Sequence, residues 1–127
     1  MKIITAIETC DRLKPNAYDN DDKIRWLSEL DGKIFREVFA AYEGFDPGSR
    51  FDGYFTHTLI DDPDARLLVG KPHSGMYVKW LFSKIDFNNA EFDRYNNSLA
   101  AFAADYQTFV DDYNRTHMPR RVGGVRV

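Results

Sequence analysis

Apolar residues recur along this chain at helical spacing in four places. Ile3, Ile4, Ile7 and Leu13 form the first set, with Glu8, Asp11 and Arg12 between them. Lys14-Pro15-Asn16 closes it, because a residue before proline is pushed out of the helical region. The spacing predicts a short helix over residues 3–13. The second set is longer: Ile24, Leu27, Leu30, Ile34, Val38 and Ala41 follow at steps of 3, 3, 4, 4 and 3, which is one face of an α-helix. Asp19-Asn20-Asp21-Asp22 offers capping side chains and negative charge where a helix start needs both. Arg25/Glu29, Glu29/Lys33 and Lys33/Glu37 have the spacing of supporting ion pairs on another face. Gly44 is a natural stop, so the helix is predicted over 21–43. Gly32 inside it costs about 1 kcal/mol relative to alanine and marks a close packing contact or a bend.

Residues 44–75 break the pattern, holding five of the eight glycines and three of the five prolines. Tyr54-Phe55-Thr56-His57-Thr58-Leu59-Ile60 is rich in β-branched and aromatic residues. Asp61-Asp62-Pro63-Asp64 has turn chemistry, and Arg66-Leu67-Leu68-Val69 is a second apolar run. These features predict a projecting β-hairpin near residues 50–70, with an irregular loop as the alternative. Helical spacing resumes with Met76, Tyr77, Trp80, Leu81 and Ile85, predicting a helix over 74–86. Asn88 and Glu91 then have capping-box spacing for a last helix over 89–113. Its stripe is the sharpest in the chain: Phe92, Tyr95, Leu99, Phe102, Tyr106, Phe109 and Tyr113, at alternating steps of 3 and 4. Ala100, Ala101, Ala103 and Ala104 between them would let another helix approach closely. The fold class is therefore mainly α, a small bundle of about four helices with the insert at 44–73. Residues 1–119 read as a single domain and 120–127 as a flexible basic tail.

Composition refines this picture. With 127 residues the chain suits one domain, and 15% aromatic content argues against disorder. The lone cysteine, Cys10, excludes an internal disulfide and a multi-cysteine zinc site, and agrees with a reducing compartment. No stretch approaches the apolar length of a membrane span, and the first eight residues do not resemble a signal peptide. Net charge is −3, but Arg115, Arg120, Arg121 and Arg126 put +4 on residues 114–127, leaving −7 on the rest. Such a tail is either a solvated end or an arm for an acidic neighbour or DNA phosphates.

Catalytic signatures are missing from the sequence: no phosphate-cradling glycine loop, dinucleotide fingerprint, His-Glu-x-x-His or Gly-x-Ser-x-Gly. His57, His73 and His117 are far apart and read as surface or structural histidines. Asp61, Asp62 and Asp64 lack the glycine and distal glutamate of a calcium loop and read as a turn. Cys10 reads as a small buried residue. No cofactor and no metal are expected. The aromatic stripe could be core, a subunit interface or a base-stacking platform. The acids along its helix disfavour the last, and its tyrosines, whose hydroxyls need partners, suggest a partly exposed protein contact.

Four phrases carry a resemblance: Leu13-Lys14-Pro15-Asn16, the run from Asp22 to Gly32, Tyr95-Asn96-Asn97-Ser98, and Tyr113-Asn114-Arg115-Thr116-His117-Met118-Pro119. Together with the order of helices, they make most of residues 10–119 resemble the head–tail connector, or head-completion adaptor, proteins of tailed bacteriophages and prophages. The segment Lys71–Tyr77 departs from that pattern, in which an acid often stands at the position of Ser74 or Gly75. The resemblance implies a structural, non-enzymatic virion protein. Such a subunit assembles with copies of itself into a ring under the portal protein and meets a tail-completion protein. DNA passes through the ring without sequence-specific binding, and no membrane is involved. It also implies location in the virion, and in the bacterial cytoplasm during assembly. On that reading the subunit-interface candidates are Tyr95, Tyr106, Tyr113, Arg115, His117, Arg120, Arg121 and Arg126. The alternative is a small helical nucleic-acid-binding or regulatory phage protein.

Overall fold

The computed structural model describes residues 1–42, 45–46, 48–54 and 61–117. Among them the chain forms four α-helices: α1 (Ile3–Leu13), α2 (Asn20–Glu37), α3 (Gly75–Asn88) and α4 (Phe92–Thr116). The mainly helical bundle expected from the spacing is the fold observed. α1 buries Ile3, Ala6, Ile7 and Cys10, and α2 buries Ile24, Leu27, Leu30 and Ile34. Asp19 caps α2 as its position suggests, its Oδ1 accepting from the Asp22 N–H at 2.9 Å. α3 is the centre. It packs against α1, α2 and, most extensively, α4. It is buried on several sides, Val78, Ser83 and Asp86 lying inside along with Met76, Tyr77, Leu81 and Ile85. A helix covered all round needs no single apolar stripe, which is why its sequence pattern is the least regular of the four.

Three boundaries differ from the sequence expectation. α2 ends at Glu37, not 43, and Phe39–Ala41 tightens into a 3₁₀ turn. That turn puts Val38 and Tyr42 inside and sets the Phe39 and Tyr42 rings 5.3 and 4.9 Å from that of Tyr113. Gly44, the expected stop, lies outside the described residues. The capping box does not form: Asn88 belongs to α3, its side chain donating to the Lys84 carbonyl, and Glu91 precedes α4 without a side-chain cap. The turn between them places Ala90 at φ 58°, while the Asn89, Ala90 and Glu91 N–H groups close onto the last carbonyls of α3, as helix C-termini commonly do.

The insert does not project where it is described. The first arm of the expected hairpin falls on residues 55–60, outside the described residues. The second arm meets the N-terminus instead. Arg66 bridges Lys2 in antiparallel fashion, with Ile3 N–H to Ala65 O at 2.9 Å and Leu67 N–H to Met1 O at 3.0 Å. Leu67 and Val69 are buried. Asp62 Oδ1 accepts from the Asp64 N–H, so Asp62–Asp64 is the turn its composition suggests. Earlier in the insert, Gly53 sits at φ 90°, and a methyl there would lie 2.8 Å from Ser28 Oγ, the atom that accepts from the Tyr54 N–H. Only glycine allows both the backbone angle and that approach. Gly32 proves to be a close contact: a methyl on it would lie 3.1 Å from the Arg36 guanidinium and 3.7 Å from the Phe51 ring.

Candidate functional site

Two groups of residues stand out: buried polar clasps that hold the bundle, and an aromatic end that the bundle leaves open. The first clasp centres on Asp31, fully buried on α2. Its Oδ2 accepts from Tyr54 OH at 2.5 Å and from Leu68 N–H at 3.0 Å, and its Oδ1 accepts from Tyr77 OH at 2.6 Å. Tyr77 OH in turn accepts from Val69 N–H at 2.9 Å. One carboxylate thus joins α2, both described parts of the insert and α3. Burial raises its pKa above the ordinary carboxyl value, while the two tyrosines and the Leu68 N–H pull it down. Burial, followed by the Asp31 charge, pushes both tyrosines far above the usual phenol range. The group is fully hydrogen-bonded, the arrangement that makes buried polar groups structural.

The second clasp centres on Asp86 of α3. It accepts from Lys14 Nζ at 2.5 Å and from Ser98 Oγ at 2.7 Å, tying α1 and α4 to α3. Beside it, buried Lys23 bonds Asp11 at 2.7 Å and the Tyr18 carbonyl at 2.8 Å. Neither clasp was singled out from the sequence, although a signal existed for part of it. Lys23 and Asp31 occupy the apolar face of α2, four residues either side of Leu27, where a charge has to be paired. Cys10 is buried as expected, its thiol raised to about 11 first by desolvation and then by the Asp11 charge. It is therefore not activated as a nucleophile.

The aromatic stripe divides. Phe102 and Phe109 are in the core, and Leu99, Tyr106 and Tyr113 pack against it. Tyr106 is half-buried. Its ring lies 5.6 Å from Phe102, Lys33 Nζ sits 5.1 Å over it, and its hydroxyl faces Glu37 at 3.4 Å. Burial and then Glu37 raise that phenol to about 12. Tyr113 stacks on His117 with centroids 3.6 Å apart. Arg115 pairs with Asp112, which also meets His73 Nε2 at 2.8 Å. Arg120, Arg121 and Arg126 lie outside the described residues. Tyr106, Tyr113 and His117 are thus engaged within their own chain, and Arg115 bonds along its own helix. The four alanines expected to admit another helix, Ala100, Ala101, Ala103 and Ala104, are exposed on the outer face of α4. The ion pairs expected along α2 are replaced by contacts elsewhere: Arg25 pairs with Asp22, Glu29 with Lys84, and Lys33 covers Tyr106.

At the other end of the stripe the rings face outward. Phe87 and Phe92 are 53% and 56% exposed, and so is Leu13, at 56%; these are the exposed large hydrophobics among the described residues. All three sit at one end of the bundle. Phe87 lies 6.2 Å from Phe92 and 5.3 Å from Tyr95. The stretch after Leu13 reaches the same turn, through Lys14 to Asp86 and through Tyr18 OH to Asn89 at 2.7 Å. Between Phe87, Tyr95, Leu99, Trp80 and Lys84 lies a shallow depression of about 130 Å³. Among the described residues no helix is long and apolar enough to cross a membrane, and no cluster of three or more His, Cys, Asp or Glu is placed to hold a metal ion. No family model, curated protein or solved structure matches this chain.

Proposed function

We propose that this chain is a structural subunit whose work is to assemble with other protein chains, and that the assembly is the head–tail connector of a tailed bacteriophage. The observation that carries the reading is the clustering of Leu13, Phe87 and Phe92 at one end of the bundle, with Tyr95 beside them. Scattered apolar residues are normal on a surface, whereas a contiguous group marks an interaction site. The resemblance supplies the kind of assembly. The phrases that carry it contain the clasp residues Lys14, Lys23, Asp31 and Ser98, so they describe how the helices are held and not an active site. That fits a family whose subunits are non-enzymatic building blocks.

In this reading the aromatic end and the C-terminal arginines contact neighbouring copies, portal protein or tail-completion protein, inside the virion. The acidic body lets DNA pass without adhering to it. The test is to measure mass in solution alone and in the presence of a phage portal protein. The expected result is a higher-order complex once portal is present; a chain that stays monomeric in both conditions contradicts the proposal.

A further inference from the structure

Away from the aromatic end, the paired N-terminus and the start of α3 enclose a cleft of about 520 Å³, a size usual for small-ligand sites. Lys2, Thr5, Arg66, Gly70, Lys71 and Ser74 line it, and among the described residues no carboxylate does. Lys2 and Arg66 oppose each other across the antiparallel bridge, an arrangement that destabilises like charges. Asp64 bonds the Lys2 ammonium at 2.7 Å from an exposed position. The Arg66 charge also acts on Asp64, while Lys71, exposed beside the cleft, is the further cation of its rim.

Ser74 is the second, independent observation. As a residue it is only 6% exposed, it makes no capping hydrogen bond at the start of α3, and its hydroxyl, which is not an enclosed atom, opens onto the cleft it lines. The first turn of α3 holds no acidic residue; its Met76 and Tyr77 N–H groups already bond the His73 and Ser74 carbonyls, so the helix end contributes only its dipole to the attraction of an anion.

We propose that this cleft binds a phosphate group, either inorganic phosphate or the monoester of a small phosphorylated molecule. Arg66 and Lys71 supply the charge and Ser74 Oγ donates to a phosphate oxygen. The site is separate from the aromatic end and does not depend on the connector reading. Calorimetric titration of the full chain with inorganic phosphate, with adenosine monophosphate and with a short single-stranded oligonucleotide tests it, against chloride at matched ionic strength. One phosphate per chain is expected. Arg66→Ala or Lys71→Ala should weaken it about ten-fold or more, and Ser74→Ala by a few-fold. Arg25→Ala, in an exposed ion pair on α2, should leave it unchanged. Tighter binding of the monoester than of free phosphate would assign the site to a phosphorylated metabolite, and the reverse order to the free anion. The proposal is overturned by no binding beyond the chloride control, by binding indifferent to the Arg66 and Lys71 changes in variants that melt like the wild type, or by binding of the oligonucleotide alone.

Discussion

The two ends of α4 carry the same pattern and meet different surroundings. From Phe102 to Tyr113 the stripe lies against α3, the end of α2 and the 3₁₀ turn. At Phe92 it meets water. The lengths explain the difference. α4 has 25 residues and α3 has 14, so at ~1.5 Å per residue α4 outruns its antiparallel partner by roughly 16 Å. That excess falls at its C-terminal end, where Phe39, Tyr42 and His73 come to cover it. At the other end Lys14 and Tyr18 bond the turn but leave Phe87 and Phe92 open. Periodicity fixes which face of a helix is apolar; only the neighbours decide whether the apolar face is a core or a docking surface.

The largest effects should come from the covered side. Phe109→Ala removes a core ring and should cost about 3–5 kcal/mol in chemical denaturation. Asp31→Ala should cost about 3 kcal/mol or more, because two hydroxyls and the Leu68 N–H lose their acceptor together. Asp31→Asn removes the charge and keeps one accepting oxygen, leaving at least one of the three donors facing an amide NH2 that cannot accept. The folded-state pKa of Asp31 is raised, so its stabilising contribution is complete below the unfolded value and declines as pH rises through the folded one. The stability of the wild type relative to Asp31→Asn should therefore fall as pH rises from about 4 toward neutral, read by denaturation at several pH values. The same sign applies to Tyr54 and Tyr77. Above about pH 10 the unfolded chain ionises where the fold cannot, and each should steepen the alkaline loss by about 1.4 kcal/mol per pH unit.

On the open side, Phe92→Ala should change stability by less than about 0.5 kcal/mol, since the ring is mostly in water already. A loss as large as that of Phe109→Ala would erase the distinction between the two ends. Smallest of all, Ala90→Gly should stabilise by about 0.5 kcal/mol by relieving the left-handed backbone at the α3–α4 turn, net of the added freedom of the unfolded chain. A thermal melt reads it.

Much of this fold was legible in the sequence because α1, α2 and α4 each turn one face inward, so that 3-and-4 spacing records the burial directly. The end of α2 was misread because Val38 and Ala41 kept the helical spacing while the backbone tightened to pack against Tyr113, a residue far along the chain. The Arg66–Val69 run looked like half of a hairpin because pairing with the N-terminus demands the same short apolar residues. The Asp31 clasp was hidden for a similar reason. An acid on an apolar face is visible, but its partners Tyr54, Leu68 and Tyr77 come from three separate segments. For the aromatic end, the stripe was visible and its division was not.

Under the connector proposal, the most direct test of that division is whether the wild type and a Phe87→Ser/Phe92→Ser variant enter a complex with portal protein, read by mass. The wild type should enter the complex, and the variant should remain free while melting within a few degrees of it. A variant that assembles as well as the wild type would contradict the assignment of the open end of α4 as the assembly surface.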